Sequence, residues 1–276
     1  MKFKNCLLAS DVDGTIMDQG YINPRNFEKI DEFVSDGGTF CISTGRCPAA
    51  MRHIVSQFEN LQNVIFYNGG MIYDYVNKKT LVNKIINDCD KSFFMELATK
   101  FPEIGIEVYS GDEVYMIRES DACRVHFEYE RVPFKYATFD EVIDMPWNKI
   151  MTFYEGEYDE TALLKDIDNC KSETCCFAKA GAFIDGVYYR GVELLPKGTD
   201  KGQGLLELAR ILGFTKENTF AIGDYYNDFE MLSVAGISSC PDESPSDIKD
   251  IVDFVAGACR DGAVADFIEY LQNKAN

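Results

Sequence analysis

The residues Ser10-Asp11-Val12-Asp13-Gly14-Thr15 follow a short apolar run from Cys6 to Ala9 and set two carboxylates two positions apart. In extended chain such residues project from the same side, roughly 6–7 Å apart along it. One carboxylate can then attack a phosphorus while the other protonates the leaving oxygen. Two plainer readings compete. An Asp-Gly turn is common at a strand end. A calcium loop needs glycine at its sixth position and glutamate at its twelfth; counted from Asp11 these are Ile16 and Ile22, so that reading fails.

A second acidic group, Gly223-Asp224-Tyr225-Tyr226-Asn227-Asp228, ends another apolar run. With a helix opening inside it, Asp224 and Asp228 would share one face near its N-terminus. Acids also collect at helix starts simply to complement the dipole. Set beside Asp11, however, these two carboxylates repel strongly unless a hard cation neutralises them. Magnesium suits, because it takes few carboxylates, several waters and phosphate oxygens. Ser43-Thr44-Gly45-Arg46 offers a hydroxyl and backbone N–H groups to a phosphate, although Thr44 alone would pass for a helix cap. Lys201, in Lys197-Gly198-Thr199-Asp200-Lys201-Gly202, could hold a phosphoryl oxygen and offset the charge around Asp11, or be an ordinary surface lysine. Pro196 stands where a P-loop requires glycine, and no Gly-x-Gly-x-x-Gly follows any strand. Nucleoside triphosphate and dinucleotide binding therefore have no support.

Each of these groups lies where an apolar run gives way to polar residues, and a helical pattern follows most of the runs. Asn23-Pro24 opens a helix with an N-cap and a proline in its first turn; Phe27, Ile30, Phe33 and Val34 form its apolar stripe, and Gly37-Gly38 closes it. Thr39 to Ser43 and Val64 to Tyr67 read as further strands, separated by a helix through Met51, Ile54, Val55 and Phe58. The texture returns with a helix from Gly202 to Leu212, a strand from Thr219 to Ile222, a helix opening near Asn227, strands near Ile237 and Phe254, and a closing helix from Ala263. Strand–helix alternation of this kind predicts a parallel sheet with helices on both faces. Ligands bind such sheets beyond the carboxyl ends of their strands. From Lys84 to Arg190 the rhythm differs. A helix over Phe93 to Phe101, a hairpin turning at Ser110-Gly111-Asp112, and strands at Lys149 to Tyr154 and Thr174 to Phe177 flanking a helix at Ala162 to Ile167 predict an inserted α+β module. The domains are thus 1–83 and 191–276 for the core and 84–190 for the insertion.

Composition bounds the partners. With 276 residues, 46% of them hydrophobic, the chain is long enough for two modest domains with real cores. A formal net charge of −19 with no basic run argues against nucleic acid and anionic membrane. No apolar stretch approaches the length of a membrane span. Ten cysteines are scattered without a Cys-x-x-Cys pair, and only His53 and His126 could assist them. Reduced core cysteines in a cytoplasmic protein are the expectation, with the chain a monomer or weak homodimer.

In order, the Asp-x-Asp-Gly-Thr, Thr-Gly-Arg, Lys-Gly and Gly-Asp-x-x-Asn-Asp groups resemble the four signature motifs of the haloacid dehalogenase superfamily. The similarity is closest to the Cof-like subclass with a type IIB cap, and it covers essentially the whole chain. It implies a Rossmann-like α/β core with an inserted α+β cap, and a phosphatase forming an aspartyl-phosphate intermediate. By the same resemblance Asp11 is the nucleophile and Asp13 the general acid and base. Thr44, Gly45, Lys201 and Asn227 belong to the phosphate site. Asp11, the backbone carbonyl of Asp13 and Asp224 hold magnesium, with Asp228 in support. The chain departs from the family at Ser239-Cys240-Pro241-Asp242, where an asparagine is frequent. The implied substrate is a small phosphomonoester. Tyr109, Tyr115, Glu155, Asp185 and Tyr188 of the insertion suit a sugar phosphate or similar polyol. A phosphosugar mutase, which passes the phosphoryl group to a second hydroxyl instead of water, and a non-catalytic phosphosugar-binding protein are the alternatives. Binding alone has no use for the second carboxylate of Asp11 and Asp13.

Overall fold

The Leu7–Ser10 strand is buried along its whole length, as the continuous apolar run Leu-Leu-Ala demands of a strand covered on both faces. In the computed structural model, which describes residues 2–130, 132–155, 157–170, 172–184 and 187–274, it lies inside an eight-stranded sheet. Its neighbours are parallel on both sides. Leu7 to Ser10 pair with Thr219 to Ile222 on one edge and with Thr39 to Ile42 on the other. Beyond Thr39–Ser43 come Asn63–Phe66, Met71–Asp74 and Lys79–Asn83; beyond Thr219–Ile222 come Ile237–Cys240 and Phe254–Val255. The chain therefore builds outward from Leu7–Ser10 first one way and then the other. The point where the direction reverses lies at the carboxyl end of this strand, where such sheets bind ligands.

The sheet is not wholly parallel. Met71–Asp74 runs antiparallel to Asn63–Phe66, so the far edge is a meander. The Pro24–Ser35 helix begins as expected, Asn23 accepting from the Arg25 N–H at 3.0 Å. Its buried Asn26 ties the helix to the C-terminal one by accepting from the Ala265 N–H at 3.0 Å.

Two compact units result. The first comprises residues 1–46, 54–82 and 199–276, the second 47–53 and 83–198. The second boundary thus falls eight residues later than the sequence texture suggests. The reason is pairing: Val187–Pro196 forms one continuous antiparallel ladder with Cys175–Ile184, so residues 191–196, expected in the core, belong to the second unit's sheet. That sheet has six strands in the order Lys135–Tyr136, Glu113–Arg118, Gly105–Ser110, Lys149–Glu155, Val187–Pro196, Cys175–Ile184. One face carries Ile106, Val108, Ile150, Val192 and Leu194 against Phe94, Leu97 and Leu163 of two helices, with Trp147 fully buried among them.

Two of the residues expected to read a substrate are otherwise engaged. Tyr115 packs into this core. Tyr109 is buried and donates its hydroxyl to Glu107 at 2.5 Å. Glu155 is exposed at the end of its strand. Asp185 and the Tyr188 side chain lie outside the described residues.

Candidate active site

Asp11 is the first residue past the Leu7–Ser10 strand, and its N–H still donates to the Ile222 carbonyl at 2.9 Å. This holds the carboxylate at the strand end, where it is 5% exposed. Lys201 reaches it from another part of the unit. The Lys201 ammonium donates to Asp11 Oδ1 and to Asp228 Oδ1, each at 2.6 Å. Lys201 and Asp228 are both buried. The Lys201–Leu212 helix that carries the lysine packs closely on its neighbours because Gly202 and Gly204 follow it in the first turn. A Cβ on Gly202 would meet the Glu230 carbonyl carbon at 2.7 Å, and one on Gly204 would meet Gly69 Cα at 2.8 Å.

Asp228 has a second duty. Its other oxygen accepts from the Asp224 and Tyr225 N–H groups at 3.0 and 3.2 Å, folding the loop that follows Thr219–Ile222. Asp224 and Asp228 therefore do not share a helix face, contrary to expectation. A 3-10 turn opens at Tyr226 and an α-helix only at Phe229, after the loop that the Asp228 side chain ties down. Asp224 is held instead by the Thr15 hydroxyl, which donates to it at 3.1 Å. Gly14 lets it approach: φ there is +82°, and a Cβ would lie 2.4 Å from Asp224 Oδ2.

Asp11, Asp224 and Asp228 each offer an oxygen within 4.8 Å of the others, a group that could hold a metal ion. The donor set fits a hard divalent cation, being entirely carboxylate oxygen. The electrostatics fit as well. Burial first, and then the charge of Asp228, push the Asp11 carboxyl well upward and the Asp224 carboxyl to about 6. Burial alone would lower Lys201, but Asp11 and Asp228 outweigh it and hold the ammonium firmly protonated. Three carboxylates around one ammonium leave negative charge that a cation would offset. Asp13 adds no side chain to this group.

The Asp13 carboxylate faces Arg46. Arg46 Nε and Nη2 donate to its two oxygens, both at 2.7 Å. Arg46, which sequence reasoning passed over, stands in the same Ser43-Thr44-Gly45-Arg46 group as Thr44, but pairing across 33 residues leaves no periodic signal. Thr44 is buried and its hydroxyl accepts from the Arg46 N–H at 3.1 Å, so it does stabilise its own turn. Gly45 sits against Asn68, whose Oδ1 would be 3.0 Å from any Cβ there. Asn227 is exposed in the 3-10 turn and joins none of these hydrogen bonds among the described residues.

Comparison with known proteins places this geometry in a family. The sequence model of the haloacid dehalogenase-like hydrolases matches residues 8–268. A 5-amino-6-(5-phospho-D-ribitylamino)uracil phosphatase of Bacillus subtilis is 26% identical over 286 residues, covering 96% of this chain and 97% of that protein. Among solved structures, a haloacid dehalogenase-like hydrolase from Bacteroides thetaiotaomicron superposes with a TM-score of 0.80 at 21% identity, covering 97% of this chain and 100% of the other. A subclass IIB sugar phosphatase of the same superfamily gives 0.77 at 18% identity, covering 97% and 99%. No helix among the described residues is long and apolar enough to cross a membrane. The chain belongs to the haloacid dehalogenase-like hydrolase family, as an enzyme of the phosphatase type found there.

Proposed function

We propose that this enzyme hydrolyses a small phosphomonoester, a sugar phosphate or related polyol phosphate, through a phosphoryl group carried on Asp11. One observation carries the reading: the buried Asp11 carboxylate shares an ammonium with Asp228 at 2.6 Å, and it has an oxygen within 4.8 Å of one on Asp224. In the first step an Asp11 oxygen attacks phosphorus, and the bond to the ester oxygen breaks with its electron pair. The departing oxygen takes a proton from Asp13. In the second step water attacks the phosphorus of the acyl phosphate and gives its proton to Asp13. The bond to Asp11 breaks and inorganic phosphate leaves. Lys201, the Thr44 hydroxyl and the Gly45 N–H are assigned to hold the phosphoryl oxygens, with Asn227 assisting.

Asp11, the Asp13 carbonyl and Asp224 would hold magnesium, with Asp228 in support. A magnesium ion held there would supply positive charge to offset that of the phosphoryl oxygens. The substrate class is supported by the 5-phosphoribityl group in the name of the Bacillus relative, a phosphorylated polyol. The inserted unit is the part proposed to distinguish one alcohol from another, since the core residues address only what every phosphomonoester shares.

The test is hydrolysis of an aryl phosphate and of a hexose phosphate, following free phosphate and any isomeric hexose phosphate. Activity should require magnesium and vanish with chelator, and Asp11→Asn should abolish it while Asp13→Asn leaves metal binding intact. Undiminished turnover after exhaustive chelation, or an active and folded Asp11→Asn protein, would overturn the mechanism. Transfer to a second hydroxyl would make the enzyme a mutase.

A further inference from the structure

The loop that carries Thr44 and Gly45 ends in a residue for which the proposed chemistry has named no task. Arg46 is buried, its side chain 9% exposed, whereas the Asp13 side chain that it grips is 46% exposed. The buried partner is thus the fixed one, and the carboxylate is the one a substrate can reach. Two parallel N–H···O bonds at 2.7 Å set the plane and direction of the carboxylate, which a single point charge would not do.

The arginine is itself braced. Its N–H donates to the Thr44 hydroxyl, its carbonyl accepts from the Tyr67 N–H at 3.2 Å, and the Thr44 carbonyl accepts from the Asn68 N–H at 3.0 Å. Tyr67 and Asn68 reach those positions with φ of 55° and 52°, the left-handed region. For a tyrosine that conformation costs of order 1–2 kcal/mol, so the turn is held by its surroundings against local preference. What the strained turn accomplishes is the placement of the Thr44–Arg46 loop.

We propose that Arg46 is the positioning residue for Asp13: it aims the carboxylate that exchanges a proton with the leaving oxygen, without touching the phosphoryl group. The proposal rests on the phosphatase reading above. When substrate binds, one Asp13 oxygen leaves the guanidinium, takes up a proton from water and turns to the ester oxygen, while the other stays on Arg46.

The magnesium-loaded enzyme is compared with Arg46→Gln and Arg46→Lys, each also made in the Asp13→Asn background. Two esters are used, an alkyl phosphate whose alcohol needs protonation and a nitrophenyl phosphate whose phenolate leaves unaided. First-turnover alcohol release and KM are measured. Arg46→Gln should lose about 10²-fold with the alkyl ester, the scale of a positioned acid, and roughly tenfold or less with the aryl ester at similar KM. Arg46→Lys keeps the charge without the fork and should follow the same pattern more weakly. In the Asp13→Asn background either change should add less than about threefold, because its route of action is already gone. Equal losses on both esters that persist in the Asp13→Asn background would place Arg46 on the phosphoryl group and overturn the proposal. So would an unchanged rate for both variants. Magnesium affinity and circular dichroism identify a misfolded Arg46→Gln protein, in which case Arg46→Lys decides. A wild-type enzyme that cleaves neither ester removes the phosphatase reading and this proposal together; an active wild type with the wrong variant pattern removes only this proposal.

Discussion

Lys201 and Lys197 lie in the same short segment, yet only Lys201 is buried. Because its ammonium is the sole basic partner described for Asp11 and Asp228, Lys201→Ala should lower kcat by on the order of 10²–10³, the worth of one preorganised charge-stabilising donor. Lys197→Ala should change it little. The same removal leaves two buried carboxylates uncompensated, which costs about 3–5 kcal/mol. Magnesium, as an alternative cation, should recover part of that stability, visible as a larger magnesium-induced rise in Tm for the variant than for wild type. A Tm insensitive to magnesium in both would speak against metal at this cluster. Gly14→Ala offers an independent check. The new methyl would collide with the Asp224 carboxylate and sit at a φ of +82°. Magnesium affinity, read by titration calorimetry, should fall at least tenfold while Asp11 stays in place. At this scale the sequence was informative where chemistry demands a residue type: Asp11, Asp224, Asp228 and Lys201 could be picked out before any fold was known. The Arg46–Asp13 pair and the Thr15 hydroxyl on Asp224 could not, since both depend on chain segments brought together only by folding.

Among the elements, strands with a continuous apolar run were the easiest to foresee. Thr39–Ser43 and Thr219–Ile222 begin and end where their side chains say they should. The Asp121–Glu130 helix and the Val187–Pro196 strand leave no clear signal in the sequence, and Cys175–Ile184 extends beyond the apolar run that marks its start. Their sequences mix small, aromatic and charged residues without a clear period, and their identity comes from the neighbours they pair with or pack on. Tyr67 shows the same limit: its type predicts a strand, but it adopts φ of 55° to turn the chain back toward Arg46. The antiparallel Met71–Asp74 and Lys79–Asn83 edge hangs on a turn closed by Asp74, which accepts from the Asn77 N–H at 2.9 Å and side-chain amide at 2.7 Å. Burial alone would raise the Asp74 carboxyl, but the bonds from Asn77 outweigh it and hold it below the usual aspartate range. Asp74→Ala should therefore cost about 2 kcal/mol at neutral pH, the scale of hydrogen bonds to a charged group. A depressed carboxyl stabilises the fold above its unfolded value, near ~4, and loses that contribution as the pH falls through its folded value. Urea denaturation at pH 7 and at progressively lower pH should show the gap between wild type and variant closing in acid. A gap that widened in acid would contradict the assignment.

For the molecule as a whole, the insertion was legible from its change of rhythm, and its far boundary was not, because a strand pairing decides it. If the second unit selects the substrate, replacing residues 84–197 by a short linker should collapse discrimination between a small and a large phosphate ester while weak magnesium-dependent hydrolysis of the small one survives. Unchanged discrimination would assign specificity to the core. The placement of Leu7–Ser10 between Thr39–Ser43 and Thr219–Ile222 also has a consequence for how the enzyme comes into being. Asp11 and Lys201 are 190 residues apart in sequence, so on the ribosome the proposed nucleophile emerges long before its counter-ion. Until residues 219–222 have been made, the Leu7–Ser10 strand has one bare edge and an apolar length that water cannot satisfy. The second unit is almost contiguous and can complete itself during that interval. Chains truncated near residue 200 and released from the ribosome should accordingly yield a protease-resistant fragment from within 83–198 while residues 1–46 are still cut. The catalytic centre would then be among the last parts of the enzyme to exist, and the waiting N-terminal segment the natural client of a chaperone.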